Sequence, residues 1–92
     1  MNSMILLHAK VHKEPSMKIS DFIQNKNVEP VLINMRYVKE INQFNETEIN
    51  TVPFGYKDYL HGASSVLWFD WVNCIHVVEP ISEIQRLITG GQ

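Results

Sequence analysis

Cysteine occurs once in this sequence, at Cys74, in a chain of 92 residues. A lone thiol cannot close a disulfide within the chain and leaves no spaced pair for zinc, which points to a reducing compartment, the cytoplasm. An excess of one charge is also missing: ten acidic residues face eight basic ones, for a net charge of -2. Such a balance offers no general attraction to phosphates or anionic lipid and argues against a nucleic-acid or membrane-surface role. Lys10, Lys13, Lys18 and Lys26 are close together in sequence, but Glu14, Asp21 and Glu29 are interleaved with them, so they read as a mixed solvated surface. Long apolar runs are absent too. The run near the start, Met4 to Leu7, has no basic stretch ahead of it and no small-residue cleavage site, and no segment approaches the ~20 apolar residues of a membrane span. Neither secretion nor membrane insertion is expected.

What is present is a 45% hydrophobic content, enough for one domain with one modest core over residues 1–92. A chain this short leaves much of its surface uncovered, so self-association is a natural route to further stability. "MILLHAKVH", Met4 to His12, is rich in strand formers and ends before Pro15. "SMKISDFIQNKN" places Ile19, Phe22 and Ile23 at helical spacing, with Ser16 or Ser20 available as a cap. Val31 to Ile33 reads as a strand, Asn34 as the cap of one turn through Tyr37, and Val38 to Phe44 as a return. Residues 45–64 are broken by Pro53, Gly55 and Gly62 and read as a long variable loop. Phe54, Tyr56, Tyr59 and Leu60 make that loop too apolar for disorder, so it is expected to pack on the body or on a neighbouring subunit.

"SSVLWFDWVNCIHVV" carries the most pattern. Alternation over Ser65 to Trp71 puts Val66, Trp68 and Asp70 on one face and Leu67, Phe69 and Trp71 on the other. A turn at Val72 and Asn73 leads to a second strand, Cys74 to Val78, with Cys74, His76 and Val78 opposite Ile75 and Val77. "EPISEIQRLITGG" then specifies a helix over Pro80 to Ile88: proline in its first turn, an apolar stripe at Ile81, Ile84, Leu87 and Ile88, and Gly90 and Gly91 to stop it.

Each candidate for chemistry has a plainer reading beside it. Cys74 and His76 invite a nucleophile and its base, yet two residues apart on a strand they stand too far apart for direct hydrogen bonding, and no third group orients the imidazole. Cys74 reads as a small buried hydrophobe. His8 and His12, four apart, would share a helix face but fall on a strand, with no acid or cysteine close by to complete a metal site. Asp70 between two tryptophans has no second acid beside it for acid–base work. The aromatic residues lack the interleaved Lys and Arg of a base-stacking platform, and Gly90 and Gly91 follow a helix where a phosphate loop would precede one. No cofactor, metal or catalytic residue is assigned.

"VLINMRYVKEI" followed by "VLWFDWVNCIHVVEPISEIQRLI" resembles the small bacterial flagellar and swarming-motility proteins of the FlbD type. Matching positions are Asn34, Tyr37, Val38 and Ile41, then Val66, Trp68, Phe69, Ile75, Val77, Val78, Glu79, Ile84 and Ile88, about half the chain. The loop over 45–64, the longer N-terminal region and Pro80 in place of a capping serine depart from that pattern. The same element order is similar to response-regulator DNA-binding domains of the LytTR type, although Arg36 and Lys57 are a thin supply for a DNA contact.

The expectation is an α+β, mainly β fold: an antiparallel sheet of four to five strands with the C-terminal helix on one face. The expected core is Ile5, Leu7, Val31, Ile33, Val38, Ile41, Leu67, Phe69, Ile75, Val77, Ile81, Ile84, Leu87 and Ile88. Val66, Trp68, Cys74, His76 and Val78 then need another cover, which a second subunit would supply, with Phe54, Tyr56 and Tyr59 as further interface candidates. The function expected is a non-catalytic interaction or assembly module acting as a homo-oligomer. The alternatives are a LytTR-like DNA-binding regulator and a small-ligand binder using the aromatic loop.

Overall fold

The computed structural model describes residues 4–11, 18–51 and 57–90. Five strands form one antiparallel sheet: β1 Met4–Lys10, β2 Val28–Asn34, β3 Glu40–Gln43, β4 Ser65–Trp68 and β5 Cys74–Val77, in the order β2-β1-β5-β4-β3. Two α-helices accompany it, α1 Ile19–Ile23 and α2 Ile81–Gly90. The α+β, mainly β expectation, with a five-stranded sheet and a C-terminal helix, is what the chain adopts. No helix among the described residues is long and apolar enough to cross a membrane.

The face carrying the expected hydrophobic set forms the main core. Ile5, Leu7, Ala9, Ile33, Leu67, Val77 and Ile84 are buried, and Leu87, Ile88, Val31, Val38, Ile41, Phe69 and Ile75 pack around them. Of the expected set only Ile81 is outside this cluster; Ala9 and Met35 join it. The stripe on α2 explains the match, because residues three and four apart on a helix share a face, and period-two alternation on β1, β4 and β5 presents the complementary surface.

Several boundaries differ from expectation, each for a local reason. β2 runs through Pro30 because it is a border strand. His8 turns its backbone toward β5, accepting from Val78 N at 3.0 Å, so in the His8 and Pro30 pair the missing proline N–H faces outward. β1 ends at Lys10, and His12 lies outside the described residues, as do Pro15 and Ser16. β4 stops at Trp68, three residues early, because the Asp70 carboxylate captures the next amides. The hairpin turn is therefore the five residues 69–73, closed by Phe69 N donating to Asn73 O at 2.9 Å. β5 ends at Val77 and the resumed strand is only Glu40–Gln43. Helix α2 continues through Gly90 instead of stopping before it. Helix α1 is preceded by Lys18, not by a serine, with the Asp21 carboxylate accepting from Lys18 N at 3.0 Å. Asn34 does cap the 3₁₀ turn Met35–Tyr37, its Oδ1 accepting from Arg36 N at 3.1 Å.

A second layer covers the opposite face of the sheet. Residues 45–64 include two 3₁₀ segments, Glu46–Thr51 and Lys57–Leu60, which pack on each other while the latter packs on α1. Phe44, Ile49, Leu60 and Ala63 form a small core there, with Tyr59 against it. Lys10 follows Ala9 of the main core and so points to this opposite side, where its Nζ donates to Phe22 O at 2.7 Å, Asn25 Oδ1 at 3.1 Å and Asn27 Oδ1 at 2.6 Å. Asn27 is fully buried and donates to Val11 O at 2.6 Å and Tyr59 O at 3.1 Å, tying β1, α1 and the second 3₁₀ segment together.

Candidate interaction surface

The register fixes which side chains share the second face. Trp68 lies opposite Cys74, and Val66 opposite His76; Glu40 and Asn42 of β3 flank Trp68 and Val66. Ala9 pairs with Val77, which sets His76 beside Lys10 on this side. The covering layer sits over this middle row. His76 is 8% exposed and meets the ring of Phe44 edge-on, with centroids 4.9 Å apart; Val66 is 6% exposed. The expectation that a second subunit covers Val66 and His76 is therefore corrected: their own chain buries both, with Phe44 packed on His76 and joined in the small core by Ile49, Leu60 and Ala63.

The other expected interface residues are placed differently. Trp68, Cys74, Val78 and Tyr59 are half-buried, whereas Phe54 and Tyr56 lie outside the described residues. Burial pushes the Cys74 thiol up and the His76 imidazole down, each away from the thiolate and imidazolium forms of a reactive pair. Burial also raises the Tyr59 hydroxyl, with the nearby Cys74 sulfur adding to the shift. Among the described residues no three or more His, Cys, Asp or Glu side chains gather as metal ligands. His8 instead meets Glu79: its Nδ1 lies 2.7 Å from Glu79 Oε2, and its backbone N–H donates to Oε1 at 3.0 Å. Glu79 thus holds the end of the hairpin to β1, while its carbonyl accepts from Ser65 Oγ at 2.8 Å.

Among the described residues, Ile23 and Tyr37 are exposed singly, and larger apolar surface stays open at the β1–β2 ribbon and at the 69–73 turn. The β1–β2 ribbon is paired over seven residues, but β5 meets β1 only near its far end, at Ala9. The projecting part of the ribbon exposes Leu6 (51%) directly opposite Leu32 (63%), with Met4 beside them. At the other end of the sheet the 69–73 turn presents Trp71 at 97% exposure and Val72 at 78%. Asp70 bonds across that turn: Oδ1 accepts from Val72 N at 2.8 Å and Asn73 N at 2.7 Å, and Oδ2 from Asn73 Nδ2 at 2.6 Å. These bonds, led by the one from Val72, hold the Asp70 carboxyl below its usual range. Beside the turn an open cleft of about 510 Å³ is lined by Lys39, Glu40, Trp68, Asp70 and Trp71.

Sequence reasoning placed Trp71 in a strand facing the core and so missed it as a surface group. The signal was available in Asp70: an aspartate three residues before an asparagine is a turn former whose side chain competes with strand pairing. No protein-family model, no curated protein and no solved structure matches this chain.

Proposed function

We propose that this chain is a non-catalytic protein-interaction or assembly module that acts as a homo-oligomer in the cytoplasm. The observation that carries the reading is the placement of apolar surface. The chain covers the middle of its own sheet and leaves Leu6, Leu32 and Trp71 in solvent on either side. Isolated exposed hydrophobics are ordinary, but a cross-strand leucine pair and a fully presented indole on a locked turn are features of contact surfaces. The half-buried, upward-shifted Cys74 and the ring-packed His76 fit structural roles and support a non-catalytic reading.

The resemblance to small motility proteins belongs to this proposal. Its strand, asparagine-led turn, hairpin and terminal helix follow the order seen in β2, Asn34, β4–β5 and α2. The test is the solution mass by light scattering across a concentration series, for the native chain and for Trp68→Glu. An oligomer that dissociates on substitution is the expected result. A native chain that stays monomeric up to millimolar concentration overturns the reading.

A further inference from the structure

We infer, building on the assembly reading above, that two copies of this chain meet about a two-fold axis at the β4–β5 corner. Trp71 of each copy lies in the cleft of the other. The corner is pre-organised for contact. Trp71 and Val72 project from a turn whose backbone amides are already held by Asp70, so docking them orders little that is not ordered beforehand. The receiving cleft stands next to the projecting indole. At about 510 Å³ it falls within the roughly 300–1,000 Å³ of pockets that hold a drug-sized ligand, ample for an indole ring. It lies at β3, a border strand, so no further strand of the same sheet stands beyond it.

The charges identify the occupant. The cleft is lined by one cation, Lys39, and two carboxylates, Glu40 and Asp70, together with the two tryptophans. A strongly cationic partner meets Lys39 and a strongly anionic one meets two carboxylates, so neither is matched throughout. A contact about a two-fold axis must match itself: residue i of one copy meets j of the other, and j meets i. A patch holding both signs around an apolar centre meets that condition, with Lys39 of each copy facing the acids of the other. The Leu6 and Leu32 surface has no comparable feature to select its occupant.

The experiment is sedimentation equilibrium on the full chain over micromolar to millimolar concentrations, with circular dichroism confirming the fold of each variant. The native chain is expected to dimerise, with tryptophan emission shifting to shorter wavelength as concentration rises. Trp71→Ser, Lys39→Glu and Glu40→Lys are each expected to raise the dimer Kd by about tenfold or more. Combining Lys39→Glu with Glu40→Lys exchanges the two signs and is expected to restore most of the native affinity. A native monomer at every concentration overturns the assembly reading and this inference together. A native dimer that Trp71→Ser leaves intact overturns this inference alone, and if Leu32→Lys dissociates that dimer, the contact lies on the β1–β2 ribbon and the assembly reading stands.

Discussion

Replacing Lys10 by methionine keeps the length and most of the apolar stem of the side chain and removes its ammonium. In the folded chain that ammonium serves three oxygens, those of Phe22, Asn25 and Asn27, at 2.6 to 3.1 Å. Asn27 is 0% exposed, so water cannot replace the lost donor at its oxygen. A buried acceptor left without a partner costs about 1–3 kcal/mol. The other two acceptors add to that cost, while removing the ammonium relieves the burial penalty that lowers Lys10 from 10.5 to about 8. The net loss expected is about 2–4 kcal/mol, a large part of the roughly 5–15 kcal/mol that holds a domain folded. With a urea m-value of about 1–3 kcal/mol/M, the unfolding midpoint falls by about 1–2 M with little change in slope. Hydrogen exchange should show where the loss begins: the amides of Asn25 and Lys26, bonded to Phe22 O and Asp21 O, should open before those of α2. A pH series adds a signed test. Between pH 8 and 10.5 the unfolded chain keeps a Lys10 proton that the folded chain has released, so this group's contribution to stability rises with pH there and is flat below. The variant lacks that rise. An unchanged midpoint with an unchanged exchange pattern would refute the claim that this ammonium joins α1 to the sheet.

The other consequences are equally open to measurement. Leu67→Ala, at a fully buried position between β3 and β5, should lower stability by about 2–5 kcal/mol in chemical unfolding. Gly62→Ala should cost about 2–3 kcal/mol, since φ is +89° and a Cβ there would collide with Asn25 Oδ1 and sit 3.0 Å from Phe22 O. His76 is pulled below its ordinary value by burial, so the unfolded chain takes up a proton first as pH falls. Stability should therefore decline below about pH 6.5, and His76→Leu should flatten that decline relative to the native chain. Asp70→Ala should loosen the 69–73 turn, seen as faster exchange of the Val72 and Asn73 amides with the main core unaffected.

How legible each part was depended on whether its signal is local and periodic. Helix α2 and the β4–β5 hairpin were readable because a stripe at Ile84, Leu87 and Ile88 and alternation at Leu67, Ile75 and Val77 repeat with the period of the backbone. The second core was not, because Phe44, Ile49, Leu60 and Ala63 have no common spacing and come together only when 3₁₀ segments fold back over the sheet. Reading the 45–64 connection as a loop leaves Val66 and His76 bare and calls for a second subunit to cover them. The Lys10 cluster joins residues twelve to seventeen positions apart, a distance over which no sequence pattern singles out a bonding partner. At Trp71, strand propensity lost to the Asp70 side chain, which moved a residue expected on the strand face of Leu67 and Phe69 onto a turn, where it is the most exposed large apolar side chain among the described residues.

Pro30 limits how this chain can grow. One border of the sheet is β2, and there the backbone offers a ring where a hydrogen-bond donor would be needed to template a further strand. Copies joined through the opposite border, β3, would each turn a proline-bearing β2 outward, so growth of a shared sheet would end at two. A proline on one border is a device by which a small, apolar sheet resists the addition of further strands at that edge.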